Sequence, residues 1–248
     1  MRLSVIILTH NQYHYTRQCL RSVTDCLAND SDTEIIVVDN GSTDRTIDMI
    51  CESFPDVITI RLPQNRGIAY GRNTGIKASR GRHILLLDND TIVNAKAIHT
   101  LEATLDNAPD IGICAPRLCD TSGKTQSSFK RYPGIMEKAL NLLDRSRSSA
   151  RDIPDGPIEP DYVIGACQMI SREALNKTGL LDESIFFGPE DADLCIRMRQ
   201  AGYRVVYLPS VHIIHHWQRS TAANPLSALG RKHIAALIHF YRKHHRWI

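Results

Sequence analysis

The sequence has no apolar run that approaches the roughly 20 residues needed to cross a bilayer, so it predicts no membrane-spanning helix. Its net charge of +3 over 248 residues is too small to favour a nucleic-acid partner, and none is expected. The apolar N-terminus stops at Thr9-His10-Asn11 without a small-residue cleavage site, which favours a buried strand over a signal peptide.

The cysteines do not have the spacing of a disulfide-bonded framework or of a zinc site. The seven cysteines are odd in number and scattered, and no two form a C-x-x-C pair, which argues against a disulfide framework or a zinc site. We therefore expect reduced thiols, most of them packed in the core of a cytoplasmic protein. They are Cys19, Cys26, Cys51, Cys114, Cys119, Cys167 and Cys195.

Apolar runs alternate with helical patterns in the first half of the chain. Strands are predicted at Ser4–Leu8, Glu34–Val38, Val57–Leu62 and His83–Leu87. Helices are predicted between them, at Tyr15–Leu27, Asp44–Phe54 and Ile68–Ala78. Nearly continuous Val, Ile and Leu is typical of strands buried on both faces of a parallel sheet. The β-α-β-α order predicts an open, doubly wound, Rossmann-like α/β sheet that is mainly parallel.

Three of these strands are followed directly by polar residues. The segments are Thr9-His10-Asn11, Asp39-Asn40-Gly41-Ser42 and Asp88-Asn89-Asp90. Ligands of doubly wound sheets bind outside the carboxyl ends of the strands. We therefore expect the functional site where these three segments meet.

Periodicity weakens beyond about Pro116, and residues 144–161 are predicted to form an exposed loop. Regular structure is predicted again in the last third of the chain. The predicted elements are a strand at Tyr162–Ile170, a helix at Ser171–Thr178 capped by Ser171, a helix at Asp191–Gln200 ended by Gly202, a strand at Arg204–Leu208 and an amphipathic helix at Leu226–Arg242.

Asp88 and Asp90 are two carboxylates one residue apart at the end of a buried strand. Such a pair is able to hold Mn²⁺ or Mg²⁺ against a diphosphate, because these cations take one or two carboxylates together with phosphate oxygens and water. The alternative is a polar turn that only closes the strand. The position beside two other polar strand ends favours the metal site.

Asp39 is a candidate for recognition of a base, because a carboxylate accepts the N3–H of uracil or thymine. The alternative makes Asp39 a turn former, with Ser42 or Thr43 as the cap of the next helix. The two roles are compatible.

Several motifs in one order resemble the inverting family 2 glycosyltransferases, and within that family the rhamnosyltransferase-like enzymes of bacterial cell-surface glycans. The motifs are Val5-Ile6-Ile7-Leu8-Thr9-His10-Asn11, Val37-Val38-Asp39-Asn40-Gly41-Ser42-Thr43-Asp44, Asn65-Arg66-Gly67-Ile68-Ala69-Tyr70-Gly71-Arg72-Asn73-Thr74-Gly75, Leu87-Asp88-Asn89-Asp90, Gly165-Ala166-Cys167, Gly188-Pro189-Glu190-Asp191 and His215-His216. The resemblance implies a GT-A fold, a nucleotide-sugar donor and a bound divalent metal. Pro189 and His10 depart from the family's usual residues, and the stiffer turn at Pro189 bears on which acceptor fits.

The resemblance also implies roles for individual residues. The base and ribose are assigned to Thr9, Asn11 and Asp39, with Asn65, Asn89 and Arg72 completing the nucleotide site. Arg72 is also suited to the diphosphate. Asp88 is assigned to the ribose or the metal and Asp90 to the metal, with His215 as the histidine ligand and His212 and His216 as rivals.

Asp191 matches the family's catalytic base, and Glu190 is assigned a supporting or acceptor-binding role. Carboxylates at this position also gain from the N-terminus of the following helix, so a structural role is the alternative. A base must lie within hydrogen-bond reach of the acceptor hydroxyl. The expected reaction is therefore direct displacement with inversion, from a UDP- or dTDP-sugar to a glycan or lipid-linked acceptor.

The sequence argues against two other functions. A nucleotidyltransferase would need a Gly-rich basic loop after the first strand, and Thr9-His10-Asn11 is no such loop. A catalytically silent glycan- or nucleotide-binding partner is disfavoured because the chain carries Asp90, Asp191 and His215 together.

The domain interpretation is a single GT-A domain with residues 1–115 as its nucleotide-sugar-binding half and residues 116–224 as its acceptor-binding and catalytic half. Residues 225–248 form a basic C-terminal amphipathic helix. Two interpretations of this helix stay open: it lies on the anionic inner face of the cytoplasmic membrane, or it packs on the catalytic domain.

Overall fold

An eight-stranded sheet forms the centre of the protein in a computed structural model that describes residues 1–28, 30–132, 153–216 and 227–244. The strands are β1 (Leu3–Thr9), β2 (Thr33–Asp39), β3 (Ile58–Arg61), β4 (His83–Asp88), β5 (Thr91–Ile92), β6 (Ile111–Cys119), β7 (Phe129–Lys130), β8 (Tyr162–Val163), β9 (Cys167–Ser171) and β10 (Arg204–His215). The helices are α1 (Tyr13–Leu27), α2 (Thr46–Ser53), α3 (Ile68–Ala78), α4 (Ala95–Asn107), α5 (Arg172–Thr178), α6 (Glu190–Gln200) and α7 (Ala228–His244).

The strand order of the main sheet is β3-β2-β1-β4-β9-β6-β10-β5. The first four strands run parallel, β9 is antiparallel to both of its neighbours, and β6 and β10 are again parallel. Strands β7 and β8 form a separate two-stranded sheet. The prediction of a doubly wound, mainly parallel α/β sheet is confirmed.

The two faces of the sheet carry two separate apolar cores, because side chains of a strand alternate between faces. Val5 and Ile7 belong to one core, which includes apolar residues of α1, α2 and α4. Ile6 lies in the other, with apolar residues of α3, α5 and α6. Helices therefore cover both faces, as the apolar runs of β1 and β4 predict.

Helix α3 packs very close to the sheet, because Gly71 and Gly75 face β1. A Cβ atom at Gly71 would lie 2.3 Å from Cδ1 of Leu8, and one at Gly75 would lie 2.5 Å from Cγ2 of Ile6. The observed bounds of α3 equal the predicted Ile68–Ala78. This close approach places Arg72, in the middle of α3, beneath the carboxyl ends of the strands.

The predicted strand at Tyr162–Ile170 is wrong as one element. Gly165 and Ala166 form a turn that divides it, so β8 pairs with β7 and β9 enters the main sheet. Strand β10 continues to His215 instead of ending at Leu208. Helix α4 and strand β6 were not predicted, and α2 begins at Thr46 rather than at Asp44.

Other predictions hold within the described residues. Ser171 caps α5 by accepting a hydrogen bond from Ala174 N, and all seven cysteines are free, five of them buried. Residues 144–152 of the predicted exposed loop, as well as Leu226, lie outside the described residues. No helix in the described part of the chain is long and apolar enough to cross a membrane.

Helix α7 packs on α6 through apolar and charged contacts. Phe240 and Tyr241 are buried against Ala192 and Ile196. The fully buried carboxylate of Asp193 accepts hydrogen bonds or ion pairs from α7, namely from Lys243 Nζ at 2.7 Å and His244 Nε2 at 2.8 Å. The C-terminal helix is thus anchored on the element that begins with Glu190 and Asp191.

Candidate active site

The carboxyl ends of β1, β2 and β4 meet at one edge of the sheet. Thr9 and Asp39 are partners in the parallel register of β1 and β2, and Leu8 is the partner of Asp88 in β4. The three polar segments predicted from the sequence therefore lie side by side, because all three strands are parallel and end at the same level.

Asp39 is a fully buried carboxylate at the end of β2. The Ser42 backbone amide donates to its Oδ1 at 3.0 Å, and Arg61 Nε lies 3.8 Å from its Oδ2. The predicted turn-forming role of Asp39 is therefore present in the structure.

Asn11 joins the loop after β1 to the loop after β2. Its Oδ1 accepts from Thr43 N at 2.8 Å, its own backbone amide donates to Ser42 Oγ at 2.6 Å, and its φ is +60°. Asparagine is one of the few residues that adopt this left-handed conformation readily. The contact fixes the spacing between the two loops.

Thr9 and Asn89 meet at the hydroxyl of Thr16, a buried residue of α1. Thr9 Oγ1 lies 2.8 Å from Thr16 Oγ1, to which Asn89 Nδ2 also donates at 2.9 Å. Asn65 belongs to the same edge, because its Oδ1 accepts from Asn40 Nδ2 at 3.1 Å. Thr16 was missed by the sequence prediction, since nothing in its spacing separates it from an ordinary helical threonine.

Asp88, Asp90 and His215 form the one group in the described part of the chain with the composition and spacing of a metal site. One ligand atom of each lies within 4.8 Å of the others. Two carboxylates and an imidazole suit Mn²⁺, and the carboxylates also suit Mg²⁺. The residues present therefore fit a divalent cation of the kind predicted from the sequence.

The structure separates the three candidate histidines. Side chains alternate between the two faces of strand β10, so Ile213 and His215 are buried while His212 is exposed. The His216 ring lies against Tyr15 with ring centroids 4.9 Å apart and the ring planes tilted by 56°, and the His216 backbone amide donates to Asp90 O. His215 is the histidine beside the carboxylates because β10 is hydrogen-bonded to β5, which directly follows Asp90.

His215 has a further partner that the sequence did not indicate, Gln126. The side-chain amide of Gln126 contacts both the ring Nδ1 and the backbone carbonyl of His215. Gln126 lies in an irregular segment after β6, where no periodicity or motif distinguishes it.

Asp191 lies at the start of α6 and is half-buried. Its carboxylate accepts hydrogen bonds from Gly165 N at 3.1 Å and from Ala192 N at 2.7 Å. Burial raises the pKa of Asp191 above its ordinary value, although these two amides and Arg72 act in the opposite direction. The carboxylate is therefore oriented and made more basic than a solvated aspartate.

Glu190 is almost completely buried beside Asp191. Burial and the neighbouring Asp191 raise the pKa of Glu190 to about 7, and the attraction of Arg72 only partly offsets them. Two adjacent carboxylates in one buried place titrate as a pair. Such a pair is suited to accept a proton near neutral pH.

Arg72 connects the two sides of the site. Its Nη2 donates to Asp88 Oδ1 at 2.6 Å and to Gly165 O at 2.7 Å, and its Nη1 lies 3.7 Å from Glu190 Oε1. The guanidinium is buried. One buried cation thus joins the group formed by Asp88, Asp90 and His215 to the carboxylate pair Glu190 and Asp191.

Comparison with known proteins identifies the family. A sequence profile described as glycosyl transferase family 2 matches residues 4–179. The chain is 26% identical over 275 residues to the N-acetylglucosaminyl-diphospho-decaprenol L-rhamnosyltransferase of Mycobacterium tuberculosis (strain CDC 1551 / Oshkosh), and the alignment covers 99% of this chain and 86% of that protein.

Solved structures show the same fold. The mannosyltransferase PcManGT of Pyrobaculum calidifontis, in complex with GDP-Man and Mn²⁺, superposes with a TM-score of 0.64 at 18% identity, covering 96% of this chain and 64% of that one. A 1–349 fragment of S. aureus TarS in complex with UDP gives a TM-score of 0.64 at 18% identity, covering 86% of this chain and 60% of that one. The fold is the GT-A fold that the sequence predicted.

Proposed function

The chain belongs to glycosyl transferase family 2, and from this premise we propose that it transfers a sugar, with inversion, from a UDP- or dTDP-sugar to an acceptor hydroxyl in the synthesis of a cell-surface glycan. The observation that carries the proposal is the pairing of two half-sites across Arg72. One half is the group formed by Asp88, Asp90 and His215. The other half is the pair of carboxylates of Glu190 and Asp191, which acts as the proton acceptor.

The nucleotide is held at the ends of β1 and β2. Asp39 accepts the N3–H of the base, and Thr9 and Asn11 line the ribose side, with Asn65 and Asn89 bonded into the same edge. Asp39 recognises uracil and thymine equally, so both donor classes are included. The TarS fragment was crystallised with UDP, which supports a uridine donor.

Asp88, Asp90 and His215 would hold a divalent cation, Mn²⁺ or Mg²⁺. When bound, the cation supplies positive charge to the departing diphosphate. The PcManGT complex contains Mn²⁺ together with its sugar nucleotide, which supports this assignment.

Asp191 takes the proton of the acceptor hydroxyl. It is half-buried, whereas Glu190 is almost completely buried, so Asp191 is the carboxylate that an acceptor reaches. Gly165 N and Ala192 N fix its orientation. Glu190 and Asp191 share the proton as a pair, which gives a base whose proton affinity suits neutral pH.

The acceptor class follows from the relatives. The mycobacterial enzyme is named for an acceptor that is a sugar diphosphate carried on decaprenol. We propose a lipid-linked glycan as the acceptor of this chain, which would place the protein in the cytoplasm at the inner face of the membrane.

Helix α7 offers a surface for that contact. Ile234 and Ile238 are 46% and 41% exposed and lie one turn apart on its outer face, between the exposed Arg231 and Arg242. The last 55 residues contain nine Lys and Arg but no Asp or Glu. Apolar side chains flanked by cations match an anionic membrane surface.

The same helix is tied to the acceptor side of the site. His233 Nδ1 lies 2.9 Å from Phe187 O, in the turn that directly precedes Glu190, and Lys232 Nζ lies over the Phe186 ring. A membrane-bound α7 would therefore hold Asp191 near the surface from which a lipid-linked hydroxyl arrives.

The membrane contact is tested by sedimentation with vesicles of phosphatidylglycerol or phosphatidylcholine. The protein should bind the anionic vesicles at low salt and release them at high salt. The double variant Ile234→Ser/Ile238→Ser should bind weakly, and the equally exposed pair Ile58→Ser/Ile153→Ser is the matched control. Equal binding by both double variants would contradict the assignment of this face.

The catalytic proposal is tested with a panel of UDP- and dTDP-sugars, with Mn²⁺ or Mg²⁺, in the presence of a lipid-linked acceptor. Metal-dependent release of nucleoside diphosphate and a product of inverted anomeric configuration are expected. A retained configuration would refute the mechanism. Nucleotide binding without turnover of any donor would favour the silent partner instead.

A further inference from the structure

Gln126 makes a two-point contact with His215. Gln126 Nε2 lies 2.7 Å from the backbone oxygen of His215, and Gln126 Oε1 lies 2.9 Å from the ring Nδ1. Both ends of one amide are therefore engaged by a single residue of the proposed metal site.

The contact fixes the orientation of the amide. A backbone carbonyl oxygen only accepts hydrogen bonds, so the end of the amide that faces it must be the NH₂ group. The other end, facing Nδ1, is then the carbonyl oxygen. Since that oxygen also only accepts, His215 must carry a proton on Nδ1. The hydrogen-bond chemistry thus selects one side of the imidazole as the donor.

Protonation of His215 on Nδ1 determines the state of the other ring nitrogen, Nε2. In the neutral imidazole with Nδ1 protonated, Nε2 has a free lone pair. Nε2 faces Asp90, with 3.5 Å between it and Oδ1. A lone pair beside carboxylate oxygens is the arrangement of a metal ligand.

We propose that Gln126 is a positioning residue that holds His215 in the Nδ1–H tautomer and so presents Nε2 to the divalent cation of the transfer reaction. The inference rests on the proposed metal site. It explains why Gln126, which lies outside every recognised motif, uses both ends of its side-chain amide to hydrogen-bond to His215.

The backbone supports this role. Gln126 N donates to Leu118 O at 2.8 Å, which ties the segment to β6. Strand β6 is the parallel neighbour of β10, and its residue Cys119 is the partner of Ile214. A tight turn, in which Asp120 Oδ1 accepts from Lys124 N at 3.0 Å, returns the chain to this position. Gln126 is thus placed by the same sheet that places His215.

The test measures Mn²⁺ affinity by calorimetry in the presence of UDP, together with the imidazole ¹⁵N shifts of His215, assigned by comparison with His215→Ala. The wild type should show Nδ1 protonated and Nε2 unprotonated before metal is added. Gln126→Met should bind Mn²⁺ about 10- to 100-fold more weakly, as is usual when a partner of a metal-binding histidine is lost.

Gln126→Glu is the conservative variant, since its carboxylate still accepts the Nδ1 proton. It should keep the Nδ1–H tautomer but restore only part of the Mn²⁺ affinity lost in Gln126→Met, because a carboxylate oxygen replaces the NH₂ group that donates to the His215 carbonyl oxygen. Ser127→Ala, in the same segment, is the matched control and should bind as the wild type does. Equal thermal unfolding midpoints for the variants would show that a loss of Mn²⁺ affinity comes from the orientation of His215 and not from destabilisation of the fold.

Different results overturn different claims. A wild type that binds no Mn²⁺ in the presence of UDP would overturn the metal site itself, and with it this role. Wild-type affinity in Gln126→Met, or a wild-type His215 protonated on Nε2, would overturn only the role of Gln126.

Discussion

Arg72 and Asp88 form an ion pair in which Nη2 lies 2.6 Å from Oδ1, with the Arg72 side chain 2% exposed and the Asp88 side chain 36% exposed. The cation lies on α3 and the anion at the end of β4, so the pair joins a helix to the edge of the sheet that carries the site. Arg72 also approaches Glu190, on the far side of the site. The sequence assigned Arg72 to the nucleotide, and within the protein its guanidinium contacts Asp88, Gly165 and Glu190.

The first prediction separates these two roles of Arg72. Arg72→Met should lower the free energy of unfolding in urea by about 1–3 kcal/mol, because it leaves the buried Glu190 and the partly exposed Asp88 without their counter-charge. Arg72→Lys should cost less, since an ammonium keeps the charge but loses the planar fork. Unchanged stability combined with loss of UDP affinity would instead support direct binding of the diphosphate.

The second prediction concerns Gly165, which lies between Arg72 and Asp191. A Cβ atom there would be 2.8 Å from Arg72 Nη1 and 3.4 Å from Asp191 Cβ. Gly165→Ala should therefore push the Arg72 guanidinium away from its contacts with Asp88 and Glu190 and lower kcat by about tenfold or more. Gly156→Ala is the control, since a Cβ at Gly156 meets no atom within 4 Å. A normal kcat in Gly165→Ala would show that the spacing is not critical.

Much of the fold follows from the sequence because the parallel strands are buried on both faces. Continuous Val, Ile and Leu in β1 and β4 marks such strands directly, and the polar residues after them mark the site. The division of Tyr162–Ile170 was not predicted, because its apolar content is uniform and the turn at Gly165 is set by pairing with β7 and β4.

The candidate site divides in the same way. Asp88, Asp90 and Asp191 stand at the ends of recognisable elements, so a sequence pattern indicates them. Gln126 and Thr16 act through hydrogen bonds that depend on the register of distant strands and helices, 89 residues apart in the case of Gln126 and His215. No local pattern in the sequence carries that information.

The third prediction concerns Asp191 as the base. Asp191→Asn should lower kcat about 10²- to 10⁴-fold, the usual contribution of a general base, while leaving UDP and Mn²⁺ affinity within a few fold of the wild type. Steady-state turnover assays measure kcat, and calorimetry measures the affinity for UDP and Mn²⁺. Full activity in Asp191→Asn would exclude this base.

The fourth prediction is the pH dependence of kcat/KM. The base acts only when deprotonated, and the pKa of Glu190 is raised to about 7 by burial and by Asp191. Activity should therefore fall as the pH drops through about 7, where the pair takes up its first proton. In Glu190→Gln the midpoint of any remaining activity should move to lower pH, because Asp191 loses a like-charged neighbour. An unshifted midpoint would mean that another group titrates.

The fifth prediction turns the same pKa into a stability measurement. Glu190 is neutral in both the folded and unfolded states below about pH 4.5, its unfolded value. As the pH rises from there to about 7, the unfolded chain releases the proton first, so the folded state loses stability, by at most ~3 kcal/mol. Glu190→Gln has no such proton to lose.

The stability of Glu190→Gln relative to the wild type should therefore increase between pH 4.5 and pH 8, measured by urea unfolding at each pH. Taking the difference removes most other groups that titrate, apart from Asp191. Glu173→Gln is the control, because the pKa of the exposed Glu173 is lowered by its hydrogen bond and ion pair with Lys177. Its relative stability should not increase with pH. If the relative stability of both variants changed with pH in the same way, burial of the Glu190 charge would cost too little to raise the pKa of the Glu190–Asp191 pair.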